Sequence, residues 1–305
     1  MTILNLKIYK SKISKLFFIY TQKFHSSNQL NSNSSSKRWI QRQKNDYFTR
    51  EARVLQYKSR AAFKLLEINE KYKIFKPGNT VIDLGFSPGS WSQVAVEKVG
   101  SKGRVLGLDI IPSQPPAGAS SMQGNFLSKA TQRAIIMYLS DPNRGRQSAI
   151  SSLSSENGEK LSYIDLEKRL EQNNTKCYNS KVADVILSDM LAPLPQIDGF
   201  YKRSLSDPYH RLANVSGISV KDHGASMDLC DSALLFCIDA LHVGGNFICK
   251  FYSGIEDKIL LKKMQKVFQE VKREKPCASH SESRESYFIG LKMRASINKK
   301  DIENM

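Results

Sequence analysis

Asp83, Gly85, Pro88, Gly89, Ser90 and Trp91 fall within one run, Val81-Ile82-Asp83-Leu84-Gly85-Phe86-Ser87-Pro88-Gly89-Ser90-Trp91. Four residues suited to a buried strand lead into Gly85. A tight segment holding Pro88 and Gly89 follows, and helix-forming sequence runs from Trp91 to Lys98. Strand, glycine loop and helix in that order bring bare backbone up to a bound nucleotide or nucleoside. Asp109 ends the next apolar stretch, Val105 to Leu108, eighteen residues after Trp91. An acid there can accept hydrogen bonds from both ribose hydroxyls of an adenosine. The glycines are four apart with a proline before the second, unlike the dinucleotide fingerprint, and no phosphate-binding lysine loop is present. The pattern therefore points to adenosine without pyrophosphate, as in S-adenosylmethionine. An ordinary tight turn between strand and helix is the alternative.

Four further residues carry charge at places where chemistry could occur. Lys64 lies on a helix expected over Ser59 to Tyr72. Asp189 ends the strand-like run 182–189, at the sheet edge that carries ligands in open α/β folds. Lys250 lies in the strand-like run 246–251, and Glu285 precedes a last strand at 287–292. Taken singly, each is better read as a member of an ordinary surface salt bridge; the functional reading rests on all four occurring together. His210 and His223 fall near a long loop, but nothing marks either as a base. The five cysteines show no metal-ligand spacing. Cys230 and Cys237 are a helical repeat apart and should face the core, so free thiols in a reducing compartment and no metal site are expected.

These residues need a scaffold. The chain of 305 residues can bury a full core, and its net charge of +17 would attract acidic partners such as nucleic acid. Residues 1–45 hold nine Lys or Arg and no acid, which accounts for about half of the excess. Residues 1–36 read as an amphipathic mitochondrial targeting leader, with a disordered RNA-touching arm as the alternative. The apolar run Leu16 to Tyr20 is far too short to cross a bilayer. Residues 37–305 read as a single domain. In its segment 37–60, basic residues interleave with Trp39, Tyr47, Phe48 and Tyr57, a mixture suited to contacting RNA. Further expectations are a short strand at 121–126 containing Asn125, a helix at 131–139 and a polar insertion at 140–180. A lid or RNA-contact loop should follow at 190–221, then a helix at 227–241 that Gly244-Gly245 turns into the Lys250 strand. The last expected helix is at 256–269. Alternating strand and helix signals with one glycine loop argue for a mostly parallel, helix-covered sheet.

With these residues in place, the chain resembles the FtsJ-type ribose 2′-O-methyltransferases over about residues 50–294. The matching runs are Ser59-Arg60-Ala61-Ala62-Phe63-Lys64-Leu65, the 83–91 loop, Leu187-Ser188-Asp189-Met190, Cys249-Lys250-Phe251 and Ser283-Arg284-Glu285-Ser286-Tyr287. The resemblance implies a Rossmann-like α/β fold with a seven-stranded, mostly parallel sheet, helices on both faces and an antiparallel last strand. It implies Lys64, Asp189, Lys250 and Glu285 as the catalytic set; independently of the resemblance, a partly shielded Lys250 beside other cations is expected to have a lowered pKa and to act as the base. S-adenosylmethionine would be held by Asp83, Gly85, Pro88, Gly89, Ser90, Trp91, Asp109, Asn125 and Asp189. The implied substrate is a uridine in the peptidyl-transferase region of mitochondrial large-subunit ribosomal RNA, bare or within a pre-ribosomal particle, in the matrix. A monomer is expected. Ser90 replaces a usual glycine, Asn125 replaces an acid, and Leu191 interrupts the run after Asp189. Rival readings are a transfer RNA methyltransferase and an assembly protein that binds RNA with little catalysis.

Overall fold

The computed structural model describes residues 46–146, 181–192, 194–195, 212–213, 216, 218–280 and 282–303. The targeting leader, residues 37–45 of the basic segment, His210 and nearly all of the 140–180 insertion lie outside them. Residues up to Arg50 form one unit and those from Glu51 another. In the first, Asp46 accepts from the Thr49 amide at 2.8 Å, at the start of helix α1 (Tyr47–Val54).

The second unit holds helix α2 (Ala61–Tyr72) ahead of an alternating series. This runs β1 (Thr80–Leu84), α3 (Ser90–Val99), β2 (Arg104–Asp109), β3 (Ser120–Gln123), α4 (Lys129–Ser140) and β4 (Ala183–Ser188). A two-stranded antiparallel ribbon, β5 (Leu194–Pro195) with β6 (Leu212–Ala213), comes next. Helix α5 (Ser219–Ala240), β7 (Leu241–Tyr252), α6 (Asp257–Val267), β8 (Phe268–Glu274), β9 (Glu285–Met293) and α7 (Lys299–Glu303) complete it. Seven strands form one sheet in the order β3-β2-β1-β4-β7-β9-β8. All neighbours are parallel except β9, which runs antiparallel to both β7 and β8. The expected seven-stranded methyltransferase sheet is thus present. Chain order reverses direction between β1 and β4, the switch point where open α/β sheets bind ligands.

Alternation along the strands explains the two helix layers. Val81, Val105, Val185 and Leu187 pack against Ala62, Leu65 and Ile68 of α2 and against Trp91, Val94 and Ala95 of α3. Ile82, Leu84, Leu106 and Ile186 point the other way, into a larger core with Ile135, Leu234, Phe236 and Met264 of α4, α5 and α6. Every residue of β1 is buried, as a central strand covered on both faces requires. Among the described residues no helix is long and apolar enough to cross a membrane.

Four boundaries differ from expectation. Strand β3 stops at Gln123, because its register with β2 ends at Asp109, which leaves Asn125 in the following turn. Helix α5 begins at Ser219 rather than Met227; its first turns are polar, so no apolar period announces them. Gly244 and Gly245 form no turn: they lie within β7 at a register shift against β4, where Gly245 abuts the Asp184 carbonyl. Helix α6 ends at Val267, and Phe268–Glu274 is an edge strand in which Phe268 alone is fully covered. Its pairing with the next strand, β9, sets it.

Candidate active site

At the carboxyl end of β1 the chain must turn sharply. Gly85 has φ +77°, and a Cβ there would lie 2.8 Å from the Met190 Cα, so glycine is required by both conformation and space. Gly89, at φ +109°, starts α3, and the Ser87-Pro88 peptide is cis. Asp109 stands at the end of β2 and stitches the loop together. Its Oδ2 accepts from the Ser87 amide at 3.0 Å and its Oδ1 from the Ile111 amide at 2.9 Å. Both oxygens keep lone pairs for further donors.

Asp83 lies beneath the loop, fully buried. Ser92 Oγ donates to its Oδ2 at 2.6 Å, while Oδ1 has no partner among the described residues. Burial, aided by the nearby charges of Asp189 and Asp109, outweighs the Ser92 bond and pushes this carboxyl up to about 7. Ser90 and Trp91 turn their side chains away from the loop toward α2. Ser90 Oγ meets Ser59 Oγ at 2.6 Å, and the buried Trp91 indole donates to the Ala61 carbonyl at 2.9 Å. Only their backbone remains available to a ligand. Asn125 is exposed, and its Oδ1 accepts from the Leu127 amide at 3.0 Å.

Beside the loop, two ion pairs converge. Lys250 Nζ sits 2.9 Å from Asp189 Oδ1 and donates to the Asp189 carbonyl at 2.8 Å. Lys64 Nζ sits 2.5 Å from Glu285 Oε1, which also accepts from Ser279 Oγ at 2.7 Å. Strand geometry brings the pairs together. Lys250 pairs with Tyr287 and Tyr252 with Glu285 across β7 and β9, so these four share one face two residues apart. Asp189 follows β4 just beyond the Ser188–Cys249 pair, and Lys64 comes over from α2. All four side chains expected in the catalytic set therefore meet at one sheet edge.

Their electrostatics differ from expectation at one point. Burial works to lower the Lys250 pKa, but Asp189, Tyr252 and Glu285 together hold it above its ordinary value. The anticipated depression is absent, because the cations nearby are outnumbered by acidic groups. Burial tends to raise the Glu285 pKa, yet Lys64, Ser279 and Lys250 bring it below the usual carboxylate value.

Two tyrosines escaped sequence reasoning. Tyr287 is fully buried, its ring 5.7 Å from that of Trp91 and 5.9 Å from Lys64 Nζ, and its hydroxyl lies beside Glu285. Burial, then Asp189 and Glu285, drive its pKa well up. Tyr252 is half-buried beside the same charges. The period-two spacing Lys250, Tyr252 and Glu285, Tyr287 was the available signal. The cations of the 37–60 segment are partly spoken for: Lys58 donates to the Gln114 carbonyl at 2.6 Å, and Arg60 reaches the Ala278 carbonyl and the His280 ring. Cys230, Cys237 and Cys249 are buried thiols and Cys277 is exposed. Among the described residues no three or more His, Cys, Asp or Glu gather as metal ligands.

Comparison with known proteins agrees with this arrangement. The FtsJ-like methyltransferase profile matches residues 57–293. The "rRNA methyltransferase 2, mitochondrial" of Saccharomyces cerevisiae is 39% identical, over 89% of this chain and 92% of its own length. The Schizosaccharomyces pombe protein of the same name is 34% identical, over 84% of this chain and 95% of its own. The "Ribosomal RNA large subunit methyltransferase E" of Paramagnetospirillum magneticum is 33% identical, over 86% and 84%. The matched region contains the glycine loop, both ion pairs and all seven strands of the sheet, and on that footing the chain belongs to the FtsJ-like methyltransferase family.

Proposed function

We propose that this chain is an S-adenosylmethionine-dependent ribose 2′-O-methyltransferase. Its target is a uridine in the peptidyl-transferase region of mitochondrial large-subunit ribosomal RNA, and it works in the mitochondrial matrix. The observation that carries the chemistry is the convergence of Lys250–Asp189 and Lys64–Glu285 beside the glycine loop. The RNA class and compartment rest on likeness to relatives bearing those names.

The residues fit the cofactor. Gly85 leaves room for close approach, Asp109 keeps lone pairs for ribose hydroxyls, and Asp83 offers an orphaned carboxyl oxygen to a cationic group. When bound, the cofactor supplies an electrophilic methyl on a cationic sulfur. Lys64 holds the ribose oxygens or the neighbouring phosphate, and Glu285 positions Lys64 or the 2′-hydroxyl. Asp189 would orient Lys250, and Lys250 in its neutral form would take the 2′-hydroxyl proton as the oxygen gains the methyl group and the methyl–sulfur bond breaks, its electron pair staying on the departing neutral sulfur. Burial works to lower the Lys250 pKa, which opposes the pull of Asp189 and Glu285. The raised value of the free site favours a second role: Lys250 remains an ammonium that aligns the hydroxyl, and solvent removes the proton.

Mapping of ribose methylation in mitochondrial ribosomal RNA tests the assignment. One 2′-O-methyluridine of the large-subunit RNA should vanish when the gene is deleted and return with the wild-type gene. An unchanged map in the deletion strain would contradict it.

A further inference from the structure

We propose that His223 is a positioning residue: it clamps the strand end that carries Lys250 and so sets the geometry of methyl transfer. The inference rests on the functional reading above.

Strand β4 covers β7 only as far as the Ser188–Cys249 pair. Beyond it, β7 continues through Lys250 to Tyr252, paired to β9 on its other side. The uncovered backbone groups are met by one stripe of α5, residues 223, 226 and 230. Cys230 Sγ donates to the Lys250 carbonyl at 3.1 Å. The Tyr252 amide donates to Ser226 Oγ at 3.1 Å, and Ser226 Oγ in turn donates to the His223 carbonyl at 2.7 Å. His223 Nδ1 donates to the Tyr252 carbonyl at 2.6 Å, and its Nε2 accepts from the Glu256 amide at 3.1 Å.

This pair of bonds fixes the ring as the neutral tautomer with its proton on Nδ1, since a carbonyl can only accept and an amide can only donate. A rigid plane with a donor at one end and an acceptor at the other spans the turn from Tyr252 to Glu256. The ring is buried and lies against Gly254, where a Cβ would come within 2.5 Å of it. The clamp therefore fixes both the backbone two residues from Lys250 and the start of α6. Because β9 still pairs with this strand end, loss of the clamp should leave the fold standing while letting Lys250 and Tyr252 shift. Small misplacement of reacting groups is costly in rate.

The test compares His223→Phe, which fills the space but neither donates nor accepts, with His223→Asn, which keeps an amide donor for the Tyr252 carbonyl. H223F should slow single-turnover methyl transfer by at least about tenfold at saturating RNA and S-adenosylmethionine. Cofactor affinity and RNA half-saturation should stay within about twofold, and H223N should recover most of the lost rate. Amide exchange over 250–256 should accelerate in H223F and not over 83–91. The proposal is overturned if H223F transfers methyl groups like wild type, if H223N is as slow as H223F, or if the loss lies in RNA affinity alone. Should H223F not fold, Ser226→Ala removes the acceptor of the Tyr252 amide and must slow transfer in the same way; unchanged transfer overturns the clamp. Wild-type protein whose 250–256 amides are protected by His223 but which transfers no methyl group would sink the functional reading while supporting the clamp.

Discussion

Lys250 and Asp83 are both buried and both hold their protons more tightly, which leaves one charged and the other neutral. Lys250 loses water but gains Asp189, Tyr252 and Glu285, and its proton is held more tightly. Asp83 loses water and gains one hydroxyl, with two other carboxylates nearby, and its proton is also held more tightly, here in the neutral form. For Lys250 the discriminating measurement is single-turnover rate against pH. If it is the base, Lys250→Ala should cut the rate at least roughly 100-fold with cofactor affinity nearly preserved, and Lys250→Arg should fail too, since a guanidinium keeps its proton. Near-wild-type transfer by K250R would favour the alignment role. For Asp83 the sign follows from linkage. A carboxyl raised from its ordinary 3.8 to about 7 is protonated in the fold while ionised in the unfolded chain across that interval. Its stabilising effect is thus present at low pH and lost as pH rises to about 7, beyond which it is constant. Asp83→Asn removes this dependence. The wild type should fall relative to D83N by up to roughly 4 kcal/mol between those limits, read from urea unfolding at a series of pH values. Parallel curves for the two proteins would refute the assignment.

Among the elements, the glycine loop was the most legible and the edge strands the least. The loop's signal is local: Gly85 and Gly89 occupy positive φ within a few residues of a buried strand. Gly85→Ala should place a methyl 2.8 Å from the Met190 backbone in an unfavourable conformation, displacing the segment that carries Asp189. Calorimetry should show S-adenosylmethionine binding reduced at least roughly tenfold, as strain of this kind costs about 1–3 kcal/mol; unaltered affinity would separate the loop from the cofactor. Strand β8 had no comparable signal. An edge strand needs few apolar residues, and Glu270, Lys272 and Arg273 give no alternating apolar pattern beyond the helix expected to end at 269. Its charged flank also discourages pairing with another chain. The Gly244-Gly245 pair read as a turn because glycine punctuates locally, whereas here it admits a register shift against the Asp184 carbonyl.

At the scale of the whole chain, charge and compartment are linked. Nine basic residues and no acid fall before Asp46, while the remainder carries the other half of the +17 excess. A fusion of residues 1–36 to a fluorescent reporter should enter the mitochondrial matrix; a reporter left in the cytosol would remove the targeting reading. RNA affinity of the protein lacking those residues should fall steeply with salt, because cations that neutralise phosphates release counterions. A flat dependence between low and physiological salt would argue against a phosphate-tracking surface.

What the sequence determined by itself was whatever is written in short spans: the turn at Gly85, the acids ending β2 and β4, the lysines on α2 and β7, and the alternation that made a two-faced sheet. Only the tertiary structure decided which residues meet. Register across β7 and β9 set Tyr252 opposite Glu285 and Tyr287 opposite Lys250, a relation no local pattern encodes. It also reversed the expected Lys250 shift, since the balance between lost water and gained carboxylates depends on neighbours brought from β4 and β9. His223, unremarkable in its helix, acquired its two partners because β4 stops one residue short of Lys250 and leaves backbone groups that something buried must satisfy.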